Sequence, residues 1–110
     1  MEWQESEFHD YADAFLEAVF EQLEQQDDEG ALEIDLQEGI LLIETQSREF
    51  VISKHAPSRQ VWLSSPLSGG LHFIPADEGR DWKLKDGRRL SVVLSEELSM
   101  LTGSDFIIEV

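Results

Sequence analysis

Between Ala31 and Pro75 the chain repeats one pattern: short runs in which apolar and polar side chains alternate, each ended by a tight break. In "ALEIDLQ" (31–37), Leu32, Ile34 and Leu36 alternate with Glu33, Asp35 and Gln37. Glu38–Gly39 supplies a turn and "ILLIET" (40–45) returns. "EFVISK" (49–54), "RQVWLSS" (59–65) and "GLHFIP" (70–75) continue the series, separated by "HAPS" and "SPLSGG". Period-two alternation specifies strands, and breaks this short leave room only for hairpins, so the segment predicts an antiparallel meander. "DWKLK" (81–85) adds one more short strand. Such a sheet has an apolar face that must be covered.

The cover comes from the two ends. Over residues 6 to about 26, Phe8, Tyr11, Ala12, Phe15, Val19 and Leu23 recur at steps of three and four, the stripe of a helix with one buried face. Ser6 is placed as its N-cap, with Glu7 at the positive end of the helix dipole. A second helix spans roughly 89 to 101, with Leu90, Val93, Leu94, Leu98 and Leu101 on one side and Gly103 as its stop. The tail "DFIIEV" is too apolar to hang free, so Phe106, Ile107 and Ile108 are expected to pack along a helix. Helix, strands, helix in one chain of 110 residues predicts a single α+β domain over 1–110. The sheet has five to six strands, both helices lie on one face, and the other face stays wet.

Composition narrows the function. The absence of cysteine removes disulfides, thiolate metal sites and cysteine nucleophiles. A formal net charge of −16 disfavours nucleic acid and anionic membranes as partners. The acidic opening "MEWQESEFHD" is unlike a basic presequence, so a cytoplasmic or already processed protein is expected. The charge is also lopsided: Met1 to Thr45 holds fifteen acids and no lysine or arginine, and all eight bases lie from Arg48 onward. No G-x-S-x-G elbow, H-E-x-x-H pair or P-loop lysine is present, and His9, His55 and His72 are scattered.

On the first helix Asp10, Asp13, Glu17, Glu21, Glu24 and Asp28 follow spacings of 3, 4, 4, 3 and 4, which makes one ridge of like charge opposite the apolar stripe. Each neighbouring pair costs about 0.2–0.5 kcal/mol, and no base is interleaved to relieve it. Asp27, Asp28 and Glu29 crowd the negative end of the helix dipole as well. An arrangement that costs stability points to cation binding or to a basic partner. Carboxylate donors suit hard or borderline ions, and ligands strung along an open helix would hold them weakly. Trp62 poses the second question. Strand alternation puts it on the uncovered face with Ser53, Gln60, Ser64 and His72, where a large amphipathic ring is suited to anchoring a partner protein.

The run "VWLSSPLSGGLHF" (61–73), with Gly39–Ile40–Leu41 and "FVISK" (50–54) before it, resembles the frataxin family and its bacterial members, called CyaY. "SEFHDYAD" (6–13) and "LSVVLSEEL" (90–98) resemble the family's two helices. The resemblance implies a frataxin-like α–β–α sandwich and weak binding of ferrous and ferric iron, without an organic cofactor. It also implies a role beside the cysteine desulfurase and the scaffold protein of iron–sulfur cluster assembly. Carried over by position, Glu17, Glu21 and Glu24 fall on the ridge, Glu33 and Asp35 on the acidic edge of the first strand, and Gln60 and Trp62 on the exposed sheet face. Two positions depart from the family pattern: Ser53 stands where asparagine is usual, and Gln25 replaces a frequent acid.

The expectation is therefore a non-enzymatic, iron-binding accessory protein, monomeric and open to oligomerisation with iron. The candidate metal residues are Asp10, Asp13, Glu17, Glu21, Glu24, Asp27, Asp28, Glu29, Glu33 and Asp35. The candidate partner residues are Ser53, Gln60, Trp62, Ser64 and His72. A ferroxidase with iron-storage activity, and an electrostatic regulator of the desulfurase with incidental metal affinity, are the alternatives.

Overall fold

The computed structural model of the chain describes residues 3–110, so Met1 and Glu2 of the expected domain lie outside the described residues. The alternating runs become β1 (Glu33–Gln37), β2 (Ile40–Thr45), β3 (Arg48–His55), β4 (Gln60–Ser65), β5 (Gly69–Ala76) and β6 (Asp81–Lys83). They pair in chain order, each antiparallel to the next, as a meander requires. Two hairpins turn over only two residues, Glu38–Gly39 and Gln46–Ser47, and all four have positive φ. Turns of that hand match the twist of the strands they join.

The register sorts the side chains into two faces. Leu36, Leu41, Ile52, Leu63 and Leu71 form one cross-strand row on the covered face, with Ile34, Ile43 and Phe50 in the next. Two helices, α1 (Glu5–Gln26) and α2 (Leu90–Thr102), lie over that face. The α1 stripe buries Phe8, Ala12, Phe15, Leu16, Val19 and Leu23. Tyr11, expected in the stripe, is instead 41% exposed and stacks on Trp3, with ring centroids 4.7 Å apart. Trp3 in turn meets the buried Trp82 edge-on, so this aromatic cluster closes the end of the core where α1 begins.

The second helix starts where expected, after Arg89, but the start of the first differs from the expectation. Ser6 is not the N-cap of α1. That position is Gln4, whose backbone N–H donates to the Glu7 carboxylate at 3.1 Å, so Ser6 lies within the first turn. The cap residue of α2, Arg89, offers no side-chain cap. Asp81, fully buried on β6, serves instead: it accepts the Ser91 backbone N–H at 3.4 Å and the Ser91 hydroxyl at 2.6 Å, besides the N–H of its own neighbour Trp82 at 2.8 Å. A cap borrowed from a strand ties the start of α2 to the sheet. Ser65 makes a similar tie. Its Oγ accepts the Leu67 and Ser68 N–H groups at 3.0 and 3.1 Å and donates to Glu97 of α2. Much of "SSPLSG" is therefore turn chemistry.

Past Gly103 (φ +74) the tail runs extended against both helices. Phe106 and Ile108 are buried, as expected, but Ile107 is 59% exposed, because an extended chain sends alternate side chains to opposite sides. Phe106→Ala should therefore lower stability by about 3–5 kcal/mol, and Ile107→Ala by no more than about 0.5 kcal/mol. Urea unfolding of the two variants checks the contrast.

Candidate functional site

The α1 face opposite the stripe carries Asp10, Asp13, Glu17, Glu21 and Glu24, all exposed. The helix ends at Gln26, so Asp28 and Glu29 continue the charge into the following turn rather than along the ridge. Asp27 has a structural task. Its two carboxylate oxygens accept the N–H groups of Ala31 and Leu32, at 2.7 and 2.9 Å, and thereby set the path into β1. Glu24 and Asp27 line a cleft of about 140 Å³ with Leu32 and Ile34, where the end of α1 meets the edge strand.

The expectation that no base relieves the ridge is corrected at Asp13. Lys54 of β3 reaches α1 and places its Nζ 2.8 Å from Asp13 Oδ1 and 2.9 Å from His9 Nδ1. An ammonium group only donates, so His9 Nδ1 is the acceptor there and the ring proton sits on Nε2, which lies 3.5 Å from Glu5. The lysine stem crosses the first hairpin, where a Cβ on Gly39 would come within 2.3 Å of Lys54 Cε. Gly39 is favoured by its φ of +79, while the crossing itself could be relieved by a shift of the flexible lysine end. The ridge is consequently paired at Asp13, and among the described residues no lysine or arginine forms an ion pair with Glu17, Glu21 or Glu24.

Glu33 and Asp35 lie on the open face of the sheet, not on the helix ridge. Glu33 pairs across the strands with Glu44, and Glu44 with Glu49, so three glutamates stand in one row. Like charges placed directly opposite destabilise a sheet. With Asp35 and Leu42 they line a cleft of about 280 Å³. Glu44 and Glu49 were absent from the expected set, although their strand parity marks them. Among the described residues, no three histidine or carboxylate side chains converge on a single ion. What the surface offers is a series of separate carboxylates, to which a hydrated divalent cation can bind and from which it can leave.

Trp62 stands on the same open face, as alternation required. Its indole is enclosed in a stack: His55 lies on one side with centroids 3.9 Å apart at 13°, and His72 lies 4.2 Å away at 11°. Its Nε1–H donates to Gln60 Oε1 at 2.9 Å. Four of the five expected partner residues, Ser53, Trp62, Ser64 and His72, line one shallow cleft of about 170 Å³ with Val51 and Gly70. The surroundings are less polar than expected, since Ile40, Leu42 and Val51 share this face and Ile40 is 44% exposed. His55, which follows Val51 and Ser53 in parity, is the residue missing from the expected set. With both faces of the indole stacked, the surface presents the ring edge and the two imidazoles.

The displaced carboxyl groups lie elsewhere. The Arg89 side-chain hydrogen bond holds Asp77 below its usual range, and the Arg88 backbone N–H and guanidinium do the same for Asp86. Both pairs belong to the segment that leads from β5 into α2. On the ridge, Lys54→Met keeps the stem but removes the charge, and should cost about 0.5–1.5 kcal/mol in urea unfolding, with the loss shrinking in high salt.

Comparison with known proteins gives this geometry a family. Residues 1–104 match the family model of the frataxin-like domain. The mitochondrial frataxin-like protein of Leishmania donovani is 34% identical over 107 residues, which is 90% of this chain and 57% of that protein. The chain thus spans little more than half the length of that relative. The iron–sulfur cluster assembly protein CyaY of Neisseria meningitidis serogroup B is 34% identical over 91 residues, covering 79% of this chain and 82% of that one. Among solved structures, a frataxin from Psychromonas ingrahamii has the same fold, with a TM-score of 0.86 at 21% identity over 98% of this chain and 100% of that chain. Trimeric yeast frataxin complexed with ferrous iron superposes with a TM-score of 0.67 at 29% identity, covering 94% of this chain and 92% of that chain. With the domain model matched from the first residue through the end of α2, this chain belongs to the frataxin family.

Proposed function

We propose that the protein is an iron-binding accessory factor of iron–sulfur cluster assembly, which carries ferrous iron weakly and docks on the cysteine desulfurase and its scaffold protein. The observation that carries this reading is the separation of two surfaces on one small domain. Exposed carboxylates follow α1 from Glu17 to Glu24, continue through Asp28 and Glu29 and reach Glu33 and Asp35 at the β1 edge of the open face, while the Trp62–histidine stack occupies the β3–β5 part of that face. The kinship to a bacterial protein named for cluster assembly, and to a yeast frataxin crystallised with ferrous iron, supports the same reading.

Each surface suits its task. Carboxylates on an open helix leave bound iron most of its water, so the ion exchanges readily and can be handed on. The same charge draws a basic patch on the partner and speeds encounter, whereas short-range affinity comes from the Trp62 edge and its apolar neighbours. Bound iron would also reduce repulsion between the ridges of two copies, a route from monomer to assemblies such as the trimer known for the yeast relative. A ferroxidase is not favoured, because it needs carboxylates that converge on closely held ions. The expected setting is the cytoplasm, as for a bacterial family member.

The test is a reconstituted mixture of desulfurase, scaffold and this protein, with and without ferrous iron. Addition of the protein should change the rate of cluster formation in an iron-dependent way, and Trp62→Ala should abolish most of that change. The variant should lose about 2 kcal/mol or more of partner affinity. It should cost only about 1–3 kcal/mol of folding stability, the scale of two lost aromatic stacks. A Trp62→Ala protein that binds both partners normally would remove the sheet face from the mechanism.

A further inference from the structure

The two histidines that enclose Trp62 reach it by different routes. His72 stands directly opposite Trp62 on β5, and Ser53 stands directly opposite it on β3. A serine is too short to cover an indole, so strand pairing alone leaves that side of the ring bare. His55 covers it from the diagonal position, two residues along β3, a reach open to large side chains. His72 is exposed, whereas His55 is half-buried and forms the inner plate of the stack.

The inner plate is itself seated. His55 ends β3 and leads into one 3-10 turn, Ala56–Ser58. Ser58 Oγ lies 2.6 Å from His55 Nδ1 and donates to the His55 carbonyl at 3.5 Å. A hydroxyl that donates to the carbonyl accepts from the ring, which assigns the His55 proton to Nδ1. Arg59 closes the turn at a φ of +55, with its N–H on the Ala56 carbonyl at 3.1 Å and its guanidinium on the same oxygen. Its Nε also donates to the Trp3 carbonyl at 3.3 Å. The turn thus fixes Ser58, Ser58 fixes the imidazole, and the imidazole fixes one face of Trp62. Gln60 holds the indole N–H at 2.9 Å.

The hydrophobic core does not need this arrangement, because His55, Ser58, Gln60 and His72 all lie outside it. Its effect is to order the indole in the free protein. A large side chain that must instead be ordered on binding lowers affinity by about 2–10-fold. We infer that His55, seated by Ser58, is a positioning residue of the open face: with His72 it holds the Trp62 edge outward before a partner arrives. The inference rests on the reading of that face as a docking surface, and adds to it the residues that prepare the surface.

The experiment labels the full chain with 5-fluorotryptophan, which reports on Trp3, Trp62 and Trp82, and Trp62→Phe identifies the ¹⁹F resonance of interest. In the free protein that resonance should be displaced by the ring currents of both imidazoles. His55→Ala should move it toward the position of free indole and Ser58→Ala part of the way, while His55→Phe, which keeps an aromatic plate, should leave it displaced. Affinity for the desulfurase–scaffold mixture should follow the same order. It should fall about fivefold or more in His55→Ala and about twofold in Ser58→Ala, and stay within about twofold of the unaltered chain in His55→Phe. An unmoved Trp62 resonance in His55→Ala, or docking as weak in His55→Phe as in His55→Ala, would overturn the inference. Full affinity in His55→Ala beside a weakened Trp62→Ala would overturn it and leave the docking face standing. Full affinity in Trp62→Ala would remove the docking face, and the inference with it.

Discussion

The packing of the α1 stripe on the sheet is the contact from which the other features follow. Phe8, Ala12, Phe15, Leu16, Val19 and Leu23 commit one side of the helix to the core, and a meander of this size has room for two helices on one face only. Once that face is chosen, the period of each element assigns every other side chain. The opposite side of α1 must carry the acids, and the opposite face of the sheet must carry Trp62. Two surfaces of different chemistry are thus consequences of one buried layer.

Where those surfaces meet the covered face, single residues adjust the balance. Lys54 shares the parity of Phe50 and Ile52, so it starts on the covered side and emerges at the rim beside Asp13 and His9. It relieves the ridge at Asp13, and among the described residues no lysine or arginine pairs with Glu17, Glu21 or Glu24. Asp27 uses its carboxylate to hold Ala31 and Leu32, which sets β1 against the end of α1 and brings Glu33 near the ridge's end. Of the expected ligands, Asp13 and Asp27 therefore already have partners, whereas Glu17, Glu21 and Glu24 remain available for ions. The glutamate row Glu33, Glu44 and Glu49 extends the unrelieved charge across the first three strands.

Much of this was legible in the sequence because it depends on period. Alternation located the strands of the meander, and the three- and four-residue steps located both helices and the ridge. The open-face position of Trp62 followed from the same rule. Contacts across large separations were not legible. That Lys54 meets Asp13, that Asp81 caps α2, and that Gln22 and Gln26 clasp the tail all depend on distances set only by the folded layers. His55, Glu44 and Glu49 were within reach, since strand parity places them on the open face beside residues already assigned there. Ser6 misled because serine is a common cap, while Gln4 with Glu7 formed the actual start. Tyr11 misled because an apolar position at the helix's first turns can be served by stacking on Trp3 instead of by burial.

The central claim is that iron and protein partners use different surfaces of this domain. It is tested most directly by recording backbone amide resonances of the ¹⁵N-labelled chain during an anaerobic titration with ferrous iron. Paramagnetic broadening should begin along residues 17 to 35 and reach Glu44 and Glu49, while Ser53, residues 60–64 and His72 keep their intensity. Broadening that begins in the Trp62 cluster, or that spares residues 17 to 35 altogether, would contradict the account.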